Sequence, residues 1–145
     1  MYKNILIPTD GSDLAEKAVK SGIAFAREIN ARTTVLTVTP PFHVFTFDAQ
    51  AVEDTPEGYR KHMQDQARKT LRAAVTTANA AGVACDAVEV EDEHPYQAII
   101  DTAKKRGCDL IMMASHGRRG MAAIIHGSET AKVLTHSDIP VLVSH

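Results

Sequence analysis

Two short segments concentrate the residue types that can hold a phosphate. One is Thr9-Asp10-Gly11-Ser12. The other opens as Ala114-Ser115-His116-Gly117-Arg118-Arg119-Gly120 and, nine residues after Gly117, reaches Gly127-Ser128. Gly117 lets backbone N–H groups approach an anion closely. Gly127-Ser128 stands where a helix can begin, and the unpaired N–H groups and dipole of a helix start attract phosphate. Ser128 adds a hydroxyl, and Arg118 and Arg119 could neutralise charge. Glycine and serine also simply cap helices, so the pattern by itself leaves both readings open.

The elements around these segments alternate in type. Ile5-Leu6-Ile7, closed by Pro8, reads as a first strand. Asp10-Gly11-Ser12 is a turn and helix cap. Over Asp13 to Ile29, Leu14, Ala18, Phe25 and Ile29 recur at helical spacing, with Ala15, Val19, Gly22 and Ala26 beside them, and Asn30 is a stop. Thr33 to Val38 is β-branched and reads as the second strand. Thr39 to Asp54 is irregular, and its Phe42, Phe45 and Phe47 are expected to tuck under a neighbouring helix, a lid or a partner surface being the alternative. Thr55-Pro56 starts a helix that carries Tyr59, Met63, Ala67, Leu71, Ala74 and Ala78 and ends at Gly82. Val83 to Glu91 is the third strand. A third helix opens at Pro95, carries Ile99, Ile100 and Ala103, and ends at Gly107 after Lys104-Lys105-Arg106. Asp109 to Met113 is the fourth strand, Ser128 to about His136 a short helix, and Ile139 to Val143 the fifth strand.

This alternation predicts an α/β fold: a single open parallel five-stranded sheet with helices on both faces. Strands buried on both faces are continuously apolar, whereas edge strands tolerate alternation. The first and fourth strands are continuous. The third alternates Val88 and Val90 with Glu89 and Glu91. The expected order is therefore the Rossmann-like 3-2-1-4-5, all of residues 1–145 forming one domain. Ligands in such sheets bind beyond the carboxyl ends of the strands where the order reverses. That point lies between the first and fourth strands, where the two phosphate-competent segments emerge. The fifth strand falls at an edge although Val141, Leu142 and Val143 are all apolar. An apolar edge is an association hazard, and a second copy of the chain would cover it.

Composition removes other classes. The 145 residues are enough for one domain, with 44% hydrophobic and 23% charged residues, as in soluble globular proteins. Lysine plus arginine number 16 against 18 acidic residues, a net charge of −2, so no basic excess points to nucleic acid. No run approaches the roughly 18 apolar residues of a membrane helix, and the start is too short for a signal peptide. Cys85 and Cys108 read as reduced thiols of a cytoplasmic protein. The seven histidines make no i, i+4 pair, and no structural metal is expected. No GxxxxGK[ST], GxGxxG or GxSxG occurs, which sets aside P-loop ATPases, dinucleotide readers and serine hydrolases. A receiver domain would need a phosphoacceptor Asp ending the third strand and a lysine after the fifth; Glu91-Asp92-Glu93 stands at the first place and no lysine follows Lys132.

Taken together, Ile5 to Ser12, Ala114-Ser115-His116-Gly117, Gly127-Ser128 and Ile139 to Val143 resemble the universal stress protein family, in its ATP-binding branch. That family's motif is a glycine, two residues, a glycine, nine residues, then glycine and serine or threonine. Ala114 stands in the place of the first glycine. If that position is extended, the substitution matters little; if it is left-handed or touches the nucleotide, affinity falls. The resemblance implies ATP as ligand, with Mg²⁺ able to accompany it. Pro8, Thr9 and Asp10 would line the pocket, and Val38 would meet the adenine. Met113 and Ala114 would flank the ribose. His116, Gly117, Gly127, Ser128, Glu129 and Thr130 would surround the phosphates. Glu129, acidic beside phosphates, would either suit a divalent cation or point to solvent. The family also dimerises through its last strand, in agreement with the edge formed by Val141, Leu142 and Val143.

The expected function is a homodimeric nucleotide-dependent stress or regulatory switch, in which a protein partner reads the surface of the 114–127 loop. A slow ATPase or phosphotransfer enzyme is the alternative, with His116 and Asp10 the only base candidates. A nucleotide-free interaction module, with Ala114 marking a degraded site, is the third.

Overall fold

The computed structural model describes residues 1–42, 55–115 and 128–145. Along them run β1 (Asn4–Pro8), α1 (Asp13–Ile29), β2 (Arg32–Thr39), α2 (Pro56–Ala81), β3 (Cys85–Glu91), α3 (Pro95–Lys105), β4 (Leu110–Ala114), α4 (Ser128–His136) and β5 (Val141–Ser144). The strands form one sheet in the order β3-β2-β1-β4-β5, and every pairing is parallel.

The order follows from which strands lack a polar face. Ile5, Leu6 and Ile7 of β1 are wholly buried, and all of β4 is buried. Ile5 and Ile7 pack with Val19 and Ile23 of α1 and Leu71 and Ala74 of α2. Leu6, Ile111 and Met113 pack on the opposite face with Ile99 and Ala103 of α3 and Val133 of α4. The alternating β3 is half-buried at one edge, as its sequence predicts.

Local chemistry sets the helix ends. Ser12 Oγ accepts from the Ala15 amide at the start of α1, and Asn30, at φ 58°, ends that helix in the left-handed conformation. Thr55 Oγ1 accepts from the Gly58 amide to start α2, and Gly82, at φ 72°, ends it. Each device satisfies backbone groups that a helix end leaves without partners. Three strands begin later than the residue pattern predicts, at Cys85, Leu110 and Val141. The Val83 amide bonds Ala78 O and so still closes α2, and Ile139 is held in a turn by Ser137 Oγ.

The buried face of α1 keeps the expected Ala15, Ala18, Val19, Gly22 and Ala26, adds Ile23 and leaves the large Leu14, Phe25 and Ile29 half-buried at its sides. The reason is close approach. A Cβ on Gly22 would lie 2.6 Å from Ile7 Cδ1 and 3.3 Å from Met112 Sδ. Small residues face the sheet because large ones would hold the helix away from it. Phe42 does tuck against a helix, its ring centroid 5.4 Å from that of Tyr59 in an edge-on contact. Phe45 and Phe47 lie outside the described residues.

At the amino end of the sheet a polar tie fixes β1. The Asp109 carboxylate accepts from the amides of Lys3 at 2.9 Å and Asn4 at 3.0 Å. Asn4 Nδ2 donates to Arg106 O, and Thr34 Oγ1 donates to Asn4 Oδ1.

The Gly22 contact predicts that Gly22→Leu lowers stability by about 1–3 kcal/mol through overpacking, although glycine is the poorer helix former by about 1 kcal/mol. Urea denaturation with the midpoint and slope of both proteins measures it. A midpoint at or above that of the wild type would contradict the close approach.

Candidate functional site

β1 and β4 are neighbours, and the chain leaves them in opposite directions, β1 toward β2 and β4 toward β5. This is the reversal of strand order beyond which a crevice opens. From β1 come Pro8, Thr9 and Asp10; from β4 come Met113, Ala114 and Ser115.

The β1 side is held by its own backbone. The Thr9 amide donates to Leu36 O at 2.8 Å, and Thr9 O accepts from Thr37 Oγ1 at 3.0 Å. Thr9 Oγ1 accepts from the Gly11 amide, and Asp10 Oδ1 accepts from the Ser12 amide at 2.9 Å. Gly11 sits at φ 80°, a left-handed conformation that a side chain would strain. Thr9 is buried, Pro8 half-buried and Asp10 exposed. Val38 of β2 is half-buried, and it and Met113 belong to one apolar cluster, on the α3–α4 face. Apolar side chains on the α3–α4 face and the polar groups of Thr9 and Asp10 thus meet at this end of the sheet.

On the β4 side, Ala114 is in an extended strand and pairs with Ser144. The Ser115 amide prolongs the ladder to Ser144 O at 2.8 Å. Among the described residues Asn30 alone, apart from glycines, has a positive φ. An alanine at position 114 therefore meets no backbone strain, which resolves the conformational half of the question the sequence left open.

α4 follows directly on Gly127. Its Ser128 is exposed. Thr130 is buried, and its Oγ1 donates to Ala114 O at 3.0 Å. The Glu129 carboxylate is bonded within the chain and remains partly exposed. Its Oε1 accepts from the Tyr96 amide at 2.9 Å, and its Oε2 lies 3.4 Å from Lys132 Nζ. The structure therefore brings Pro8, Thr9, Asp10, Met113, Ala114 and the first turn of α4 to one end of the sheet. His116, Gly117, Arg118, Arg119 and Gly127 lie outside the described residues. Two contributors escape the sequence pattern. Thr37 is one of several threonines in a β-branched run, and Tyr96 reads simply as the second residue of a helix.

The universal stress protein family model matches residues 1–145. Universal stress protein MJ0531 of Methanocaldococcus jannaschii is 31% identical over 143 residues, spanning 99% of this chain and 82% of the relative. The solved structure of MJ0577, from the same organism, superposes with a TM-score of 0.81 at 29% identity and covers 99% of this chain and 95% of that one. A universal stress protein crystallised in complex with cAMP superposes with a TM-score of 0.72 at 25% identity, covering 99% and 97%.

The two thiols stand away from this crevice. Cys85 begins β3 and Cys108 precedes β4, so both lie toward the amino end of the sheet. Neither is in a disulfide. Burial pushes both above their ordinary value of 9.0, with hydrogen bonds from Thr33 and Thr34 opposing it only in part. Both remain protonated at neutral pH, and a thiol is a far weaker nucleophile than a thiolate. Iodoacetamide at pH 8 is expected to label the native protein more slowly than the urea-unfolded chain. Equal rates, read by mass spectrometry, would show that the fold does not hold the thiols protonated.

Proposed function

The chain belongs to the universal stress protein family over all of residues 1–145, and from this premise we propose that it is an ATP-binding, homodimeric, nucleotide-dependent stress or regulatory switch. The observation that carries the reading is the Thr130–Ala114 hydrogen bond of 3.0 Å. It ties the turn that follows Gly127-Ser128 to the strand end that precedes His116-Gly117. The flanks of both halves of the phosphate motif are thereby held together, beside Thr9 and Asp10. The relative bound to cAMP supports an adenine nucleotide as the ligand class.

In this reading Pro8, Thr9 and Asp10 line the pocket. Val38 and Met113 offer apolar surface to the purine and ribose, with Ala114 beside them. His116, Gly117, Arg118, Arg119, Gly127, Ser128 and the first-turn backbone of α4 take the phosphates. Glu129 and Thr130 contribute amides there, since both side chains are bonded within the chain. A Mg²⁺ ion would arrive on the nucleotide's own phosphates. Nucleotide occupancy would set the arrangement of the 114–127 loop that a protein partner reads. The whole chain acts as one domain. Among the described residues no helix is long and apolar enough to cross a membrane, in keeping with a cytoplasmic location.

The dimer rests on β5. Among the described residues β5 pairs with β4 alone, and Leu142 is 42% exposed. A second copy pairing antiparallel about a two-fold axis would satisfy both edges at once.

Calorimetric titration tests the site. The wild type is expected to bind ATP, and Gly127→Asp to abolish binding without unfolding the chain, because a carboxylate at the helix start occupies the anion site. Unchanged affinity would remove this loop from the site, and sustained phosphate release would promote the ATPase reading. For the interface, sedimentation at micromolar concentration is expected to give a dimer that Leu142→Lys shifts toward monomer. A monomeric wild type refutes the interface.

A further inference from the structure

We propose that Glu129 is a positioning residue for the phosphate site, holding the first turn of α4 at a fixed angle by capping a different helix. The inference rests on the nucleotide-binding reading above and deepens it. A glutamate in the first turn after Gly127-Ser128 is otherwise out of place, since a free carboxylate there would repel an incoming phosphate. The structure turns that charge elsewhere. α3 begins at Pro95, and the side chain at its N-cap, His94, makes no capping hydrogen bond. The Tyr96 amide is one of the four donors that a helix start leaves without an intrahelical partner. Glu129 Oε1 supplies the acceptor at 2.9 Å, across 33 residues of chain. A carboxylate is also favoured at the positive end of the α3 dipole. Lys132 pairs with the second oxygen at 3.4 Å and lies 5.6 Å from the centre of the Tyr96 ring.

The neighbouring residue completes the device. Thr130 Oγ1 bonds Ala114 O, so the first turn of α4 is anchored to β4 by one residue and to α3 by the residue before it. A single anchor would leave the helix start free to pivot about it; two anchors on different elements fix it. α3 is a firm support, because Ile99 and Ala103 are buried in the same cluster as Val133 of α4. The amides that meet the phosphates are therefore set in place before the nucleotide arrives, which lowers the ordering cost of binding.

The test compares ATP and adenosine on the wild type, Glu129→Gln and Glu129→Ala by calorimetry at one salt concentration. Glutamine keeps an oxygen for the Tyr96 amide; alanine does not. Glu129→Ala is expected to weaken ATP binding by about three- to tenfold, the effect of one lost hydrogen bond, with adenosine unchanged within about twofold. Glu129→Gln is expected to bind ATP at least as tightly as the wild type. ATP affinity undiminished in the alanine variant overturns the proposal, because the carboxylate would then merely repel phosphate or do nothing. Equal losses of ATP and adenosine also overturn it, as general damage, and so does a glutamine variant as weak as alanine. A wild type that binds ATP while the alanine variant matches it defeats this inference alone. A wild type that binds no nucleotide defeats the nucleotide-binding reading and this inference with it.

Discussion

β1 and β4 have almost no polar side chain to show to water, and the rest of the molecule is arranged around that constraint. A strand apolar on both faces must be covered on both, so helices are needed above and below the sheet. Parallel strands need long connections, and each of these is a helix that crosses over and returns. With β1 and β4 side by side at the centre, the chain can extend only outward, to β2 and β3 one way and to β5 the other. Both central strands then discharge their following loops at the same end. The position of the crevice is thus a consequence of where Ile5, Leu6, Ile7 and Ile111 had to go.

The sheet is not purely apolar, and its polar part does a different job. Thr33, Thr34, Thr37 and Thr39 of β2 are buried, and each hydroxyl donates to a partner: Ala84 O, Asn4 Oδ1, Thr9 O and Val90 O. A buried hydroxyl without a partner costs free energy, so these bonds select one register among those that an all-valine strand would tolerate. Threonine also keeps the β-branched shape that suits a strand. At the amino end the network ties β2 to the Asn4 and Asp109 junction, and at the carboxyl end it holds the Thr9 backbone. The β1 side of the site is thus held by this strand, through Leu36 and Thr37, as well as by the loop's own bonds at Thr9 and Asp10.

Much of this was legible in the residues, for physical reasons that also explain the rest. Burial on two faces, on one face or at an edge leaves a pattern on neighbouring residues, so Ile5-Leu6-Ile7 and Val88-Glu89-Val90-Glu91 place their own strands. Caps act within three or four residues, so Ser12, Asn30, Thr55 and Gly82 mark helix ends openly. The buried face of α1 was less plain, because large apolar residues signal burial more loudly than Gly22 and its alanines do. What decides that face is the distance to Ile7 and Met112, which no local pattern carries. Glu129 is the same problem in polar form. Its partner is an amide, and every residue but proline offers one, so nothing in its own surroundings names Tyr96. The Thr37–Thr9 bond is hidden likewise among threonines that look alike.

The two edges of the sheet are unlike each other, and this bears on how far any assembly could grow. β3 carries Asp86, Glu89 and Glu91 along its seven residues, while Val141, Leu142 and Val143 of β5 carry no charge. If both edges were apolar, one molecule's β5 could join the next molecule's β3, and each addition would expose a fresh edge for another. Such head-to-tail growth has no natural end and produces fibres. Asp86 and Glu91 are paired with Arg32 and Arg60, so an apolar strand added at that edge would strip water from two ion pairs and from the Glu89 carboxylate, and would offer none of them a partner. Self-complementary contact, edge to identical edge, uses up the adhesive surface of both molecules in one event. In the proposed dimer, the charge pattern of a strand on the far side of the sheet would act as a chain terminator, separating finite association from polymerisation.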